Sequence, residues 1–309
     1  MNRILTLALT ILCLAGSLKS AGQVVSKDPP EVAAVFEALY DYDFPDAEKK
    51  FRELYRLGIA ENLMDLTQAN LYWWFMISGD TSKDYENLII AVLNRAIQRL
   101  KAKDPEQLTY DDVFTMIHGY AYLTRVEIYR ERYLAGLGNL RRTLDYLKVS
   151  LDHYAEFDKF MLTAGLFHYF SAVTVSRRPL YAPFFAIAPK ADRRTGFELL
   201  TRCSSMENPM LRNEALYFLM IINSLEEKNF PMALKNADQL IRAHPNNLIY
   251  HYNRMVVFIE ADDKEGARQQ FANLVKAATT APGLSDVQRA HSISEAKKRL
   301  RRENITPLL

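Results

Sequence analysis

Apolar and polar residues alternate along this chain with a helical period of about 3.6 residues. Ala47, Phe51 and Leu54 stand at steps of four and three. Ala233, Ala237 and Leu240 repeat the spacing, and Ala267, Phe271 and Leu274 repeat it again. Such steps place all three residues on one helix face. The small first residue lets two helix backbones approach closely, and the larger ones fill the space one and two turns on. Two copies share a lead-in, Phe44-Pro45-Asp46-Ala47 and Phe230-Pro231-Met232-Ala233. Proline there suits the first turn of a helix, where its missing N–H has no intrahelical partner. A weaker copy is Gly196-Leu200-Cys203.

This patterning predicts helices in pairs. The first pair runs over 31–40 and 45–57, the second over 62–78 and 82–101. A long helix opens at Thr109, which forms a capping box with Asp112, and carries Val113, Met116, Ile117, Tyr120 and Leu123 on its apolar side. Its partner is expected over 138–154. The next pair starts near Phe157, pauses across 179–189 and resumes over 192–202. Pairs at 213–225 with 231–243 and 248–259 with 264–278 follow, then a basic helix over 285–303. No single pair can bury its apolar face, so neighbours must stack. The fold class expected is all-α, a right-handed superhelix of stacked antiparallel helix pairs in one continuous array.

Composition agrees, with glycine scarce (11 of 309 residues) and 49% hydrophobic residues, which favours helices around an ample core. The first 22 residues read differently. Arg3 precedes the apolar run from Ile4 to Ala15, and small residues follow up to Gly22. That is the layout of a secretory signal peptide cleaved before Gln23. An uncleaved anchor is the alternative, although the run is short for a bilayer span. Residues 23–30 then form a linker, 31–284 the helical-repeat domain, and 285–309 a basic capping helix and tail. Export to the periplasm or envelope of a Gram-negative bacterium is the expected location. Removing the leader takes two basic residues and no acid, leaving 37 of each sign. A balanced chain argues against a nucleic-acid partner. Only Cys203 remains in the mature chain, so no internal disulfide can form, and its apolar setting marks it as a buried small hydrophobe.

The repeats carry a resemblance. Ala233 and Ala267 lie 34 residues apart, and Tyr217, Phe230, Ala233, Leu240 and Pro245, then Ala267, Phe271 and Leu274, make 213–278 resemble two tandem tetratricopeptide repeats. Asp41 to Leu54 is similar to a third. Gly165-Leu166-Phe167-His168-Tyr169 and Asp192 to Leu200 resemble the branch that includes the mitochondrial outer-membrane, inclusion-body-clearance tetratricopeptide proteins and related secreted bacterial proteins. The resemblance implies a protein-binding scaffold. It does not extend to the subtype that clamps a peptide carboxylate, because the corresponding faces carry Phe218, Ile222, Ile249 and Val256, with Asn253 alone polar.

No phosphate loop, nucleophile elbow or metal-binding histidine pair is present in the sequence, and His168 among Phe167, Tyr169 and Phe170 reads as a hydrogen-bonded core histidine. The expected function is therefore a non-catalytic exported scaffold for a protein or peptide, with no cofactor and no metal. Tyr120, Tyr169, Tyr217, Tyr252 and Asn253 are the expected groove residues, joined by Tyr181, Phe184 and Phe185 in the apolar loop 179–189. Two alternatives stand beside it. One is an envelope glycan-binding or cell-wall-modifying protein on the same helices. The other is a peripheral adaptor that meets a membrane surface through loop 179–189 and the basic residues of 297–302. Tyr72-Trp73-Trp74-Phe75 points around a whole helix, so part of it is expected in the core.

Overall fold

The computed structural model describes residues 28–177 and 190–307. The proposed signal peptide, most of the linker, the loop 179–189 with Tyr181, Phe184 and Phe185, and the last two residues lie outside the described residues. Among the described residues there are thirteen α-helices and no strand, so the protein is all-α. They are α1 (Pro30–Tyr40), α2 (Phe44–Leu54), α3 (Glu61–Ile77), α4 (Tyr85–Lys101), α5 (Tyr110–Tyr129), α6 (Tyr133–His153) and α7 (Phe160–Arg177). The series continues with α8 (Arg193–Cys203), α9 (Pro209–Ile221), α10 (Phe230–Ala243), α11 (Leu248–Glu260), α12 (Lys264–Thr280) and α13 (Asp286–Arg302). A turn of π-helix, Ile222–Glu226, follows α9 directly.

One local arrangement opens five of these helices. The residues before α2, α6, α8, α10 and α12 are Asp43, Arg132, Asp192, Asn229 and Asp263. Each offers its carbonyl to the N–H of the small residue four positions on. The bonds are Ala47 at 2.9 Å, Gly136 at 3.1 Å, and Gly196, Ala233 and Ala267 at 3.0 Å each. The four Asp or Asn side chains among them also accept from the N–H three positions on, which satisfies a further free donor of the first turn. In four cases the residue before the cap has a positive φ: Tyr42, Glu131, Lys228 and Asp262. That left-handed residue reverses the chain after the preceding helix. Asp43, Arg132 and Asp263 then donate to the carbonyl five residues back (Ala38, Glu127 and Phe258) at 3.0, 2.8 and 2.9 Å. The left-handed conformation costs a non-glycine residue about 1–2 kcal/mol, and at Tyr42 the side chain is fully packed. The expected capping box between Thr109 and Asp112 is reciprocal as drawn from the sequence, and Ser285 forms a second with Gln288.

The chain divides into two compact units, where the sequence suggested one array. One comprises Ile59–Asn70 and Glu86–Cys203. Here α5 pairs with α6, α7 with α8, and α6 touches α7. The closest helix approach uses Gly196 of α8, where a Cβ would stand 2.3 Å from the Tyr169 nitrogen and 2.8 Å from the Gly165 oxygen. The copy Gly196-Leu200-Cys203 is therefore a working version of the motif, with Leu200 and Cys203 fully buried.

The other unit comprises Asp28–Gly58, Leu71–Tyr85 and Ser204–Leu309. Its C-terminal helices pack in sequence order, α9 on α10, α10 on α11, α11 on α12 and α12 on α13. Met220, Ala233, Ala237 and Val257 form one core, and Met255, Ala267, Phe271, Leu274, Ala296 and Leu300 the next. All nine motif positions of the three strong copies are buried. The first pair does not simply precede this series. Helix α1 packs on α9, and Glu37 receives Arg212 at 2.8 Å. The Asn247 amide donates to the Tyr40 carbonyl at 2.7 Å, a contact across 207 residues of chain. The α12–α13 connection passes so close that a Cβ on Gly283 would lie 2.3 Å from the Tyr42 oxygen.

Candidate partner-binding site

The face proposed from the sequence lies on α9 and α11 of the second unit. The π turn adds one residue between α9 and α10. The Asn229 N–H reaches the Asn223 carbonyl six residues back, at 2.7 Å, where its counterparts reach five. Counting back from the caps Asn229 and Asp263, Tyr217 and Tyr252 then occupy the same place in successive pairs. Both are half-buried. Tyr217 packs on the Met220, Ala233, Ala237 and Val257 core, and Tyr252 on the Phe271 core. Burial raises the Tyr252 hydroxyl pKa, while Arg299 and Arg302 oppose the rise and Glu295 adds to it. Beside these rings Phe218, Ile249 and Val256 are half-buried, and Ile222 is fully buried. The Asn253 amide donates to the Ile249 carbonyl of its own helix at 2.8 Å.

The N-terminal end of α9 and α11 is covered by the first pair and by the end of α3. Trp74 stands edge-on to Tyr40 at 5.2 Å and to Tyr250 at 6.0 Å. His244 lies 5.6 Å from the Tyr40 ring and 6.2 Å from the Tyr250 ring. The Asn213 side-chain amide lies 2.8 Å from His244 Nε2. Glu37 is 3.8 Å from the same nitrogen. Burial lowers the His244 pKa; Glu37 and Asp41 oppose that shift, and Arg212 assists it. Nearby His251 is held neutral. Its Nε2–H donates to the Pro245 carbonyl at 2.9 Å and its Nδ1 accepts from Gln270 at 2.9 Å. Trp74 Nε1 and the Asn213 carboxamide oxygen are buried without a hydrogen-bond partner. Sequence reasoning placed part of the 72–75 aromatic run in the core, and Trp74 and Phe75 are buried. It missed the union of Trp74 with Asn213, His244 and Tyr250, because residues so far apart in sequence leave no local signal.

Tyr120 and Tyr169 lie in the first unit, so the expected groove residues divide between the two units. Tyr120 is 3% exposed and stacks on Tyr146, and Tyr169 is 0% exposed beside Gly196. Rings this deep present no surface to a partner; they fill the gaps that the small residues leave. His168 accepts from the Asp192 N–H at 3.2 Å through Nδ1, and partial burial lowers its pKa.

The same unit holds a polar network not anticipated from the sequence. Asp65 is 5% exposed and accepts from Arg95 at 2.6 Å and Arg99 at 2.8 Å. Arg99 also donates to Asn62 at 2.6 Å, Asn62 to Asp112 at 2.5 Å, and Lys103 to Asp112 at 2.9 Å. Both carboxylates are fully engaged, which makes the network a structural clamp on α3, α4 and α5. Cys203 is buried, and burial pushes its thiol up to about 12. Among the described residues no three His, Cys, Asp or Glu side chains are grouped to hold a metal ion, and no helix is long and apolar enough to cross a membrane. No family model, no curated protein and no solved structure matches this chain at a significant level.

Proposed function

We propose that this protein is a non-catalytic tetratricopeptide-type scaffold, exported to the cell envelope, that holds a protein or peptide partner. In this reading the helix pairs are tetratricopeptide repeats and continue into a right-handed superhelix. The observation that carries the reading is the bond between the carbonyl of the residue before the helix and the N–H of a small residue four positions on, which opens five helices and is joined at α2, α10 and α12 by both the left-handed turn and the Asp or Asn cap. A stack of that kind uses its side chains to build a surface. The partner site is the outer part of the α9–α11 face, where Tyr217 and Tyr252 repeat and Phe218 and Val256 lie beside them. Its aromatic and apolar character suits an extended or helical segment docked along the helices. The covered end, with Trp74, His244 and Tyr250, fixes the site's inner boundary.

The test is affinity capture after chemical crosslinking in the native envelope, comparing the wild type with a Tyr217→Ser/Tyr252→Ser variant. The reading expects a reproducible partner that the variant loses while circular dichroism shows it still folded at the assay temperature, with a lowered midpoint because both rings pack on core clusters. A partner held equally by both proteins would move the site elsewhere. Turnover of a cell-wall substrate by the purified protein would overturn the scaffold reading.

A further inference from the structure

We propose, on the reading that α9 and α11 receive a peptide, that the end of that peptide lying over α13 is acidic. Helix α13 borders the candidate face. It touches α11, and its Ile293 packs on the same core cluster as Tyr252. Arg299 of α13 reaches Glu260 of α11 at 3.2 Å. Glu295, Arg299 and Arg302 stand at steps of four and three, so they share one side of α13. That side lies near Tyr252, where burial raises the hydroxyl pKa, Arg299 and Arg302 oppose the rise and Glu295 adds to it.

Cations outnumber acids along this edge. Residues 295–303 hold Lys297, Lys298, Arg299, Arg301 and Arg302 against Glu295 and Glu303. Both acids are already engaged, Glu295 with Lys298 at 2.7 Å and Glu303 with Arg299 at 3.2 Å. Glu260 is shared between Arg299 and Lys228. Arg302 is exposed, and among the described residues no acid pairs with it. A cation in the last turn suits the helix dipole, and its guanidinium still faces water, free to meet a further carboxylate. The charge alone would equally suit an anionic bilayer. Among the described residues, however, none of the exposed large hydrophobics lies on α9, on α11 or on the C-terminal half of α13. This edge therefore offers a membrane nothing to insert. A peptide brings its own apolar side chain to the half-buried Tyr217 and Tyr252 and sets its acid against Arg302.

The test is selection of a random-peptide display library on the mature chain, with the enriched peptides then measured by fluorescence anisotropy. Enriched peptides are expected to join an aliphatic or aromatic residue to Asp or Glu. Arg302→Glu weakens their binding by roughly fivefold or more, and peptides with Lys in place of the acid regain it on that variant. Arg302 is exposed and makes no ion pair within the chain, so circular dichroism should show the variant folded as the wild type is. Peptides that need Tyr217 and Tyr252 yet carry no acid, or that bind Arg302→Glu as well as the wild type, would overturn the acidic end and leave the α9–α11 site standing. Enriched peptides indifferent to Tyr217→Ser/Tyr252→Ser, or no enrichment at all, would remove the site and the proposal together. Flotation with phosphatidylglycerol vesicles that Arg302→Glu abolishes, without peptide enrichment, would assign the cations to lipid and overturn the proposal.

Discussion

Gly196→Ala tests the claim that small residues set the spacing of these helices. The added methyl carbon would lie 2.3 Å from the Tyr169 nitrogen, 2.8 Å from its Cα and 2.8 Å from the Gly165 oxygen. All three atoms are backbone, so no side chain can rotate away, and α7 and α8 must separate by about an ångström. Separation loosens Leu200 against Gly165, where a Cβ contact would already be 3.0 Å. Overpacking of this kind costs about 3 kcal/mol, the upper end of the usual range, and the better helix propensity of alanine returns about 1. The net loss is about 2 kcal/mol, which lowers Tm by roughly 4–8 °C for a body of this size. Urea titration followed by circular dichroism, with calorimetry for Tm, measures it. The companion variant Gly138→Ala, in dilute solution, should gain up to about 1 kcal/mol because its methyl enters open space. If Gly196→Ala matches the wild type, or if the two variants shift together, close backbone approach is not what the motif's first position provides.

Stability of the second unit should depend on pH through His244 and His251. Both folded pKa values lie below the ordinary imidazole value because burial disfavours the charge. The unfolded chain therefore takes up protons first. Stability is intact above about pH 6.5 and falls as pH drops through that value; an unchanged urea midpoint between about pH 7.5 and about pH 5.5 would contradict the neutral assignment. Cys203 should resist a thiol-specific disulfide reagent in the native state near pH 8 and react in urea, since burial holds its thiol protonated; rapid native labelling would contradict its burial. Asp65→Ala should cost about 1–3 kcal/mol, the loss of charged hydrogen bonds discounted because the arginines it leaves can reach water, and an unchanged midpoint by urea titration would show that the network adds nothing to stability.

The sequence made the repeating helix faces legible because their cause is local. The steps at Ala47, Ala233 and Ala267 encode helix period and close approach together, and Asp or Asn four residues upstream marks the cap. The start of α6 was less legible. It was expected at residue 138. The structure begins the helix at Tyr133, because Glu131 and Arg132 make the same reversal as Tyr42 and Asp43 with unrelated side chains. That reversal rests on backbone bonds, so it leaves no residue signature. The π turn at Ile222–Glu226 was invisible for a similar reason: one inserted residue alters register without altering composition. The docking of α1 on α9 was beyond reach, since periodicity shows which face is buried and does not show which distant helix buries it. In the candidate site, Tyr217 and Tyr252 were legible as repeated aromatics. Tyr120 and Tyr169 carry the same chemistry, and only packing shows that theirs is spent inside the core.

The central claim is that the outer α9–α11 face receives a partner. Site-specific photocrosslinking tests it most directly, with a photoreactive phenylalanine placed in turn at Tyr217, Tyr252 and the exposed control Glu265 of α12, in cells expressing the full chain. The account predicts one crosslinked species common to positions 217 and 252 and absent at 265. Crosslinks at 265 alone, or none at either tyrosine while the protein is folded and abundant, would contradict it.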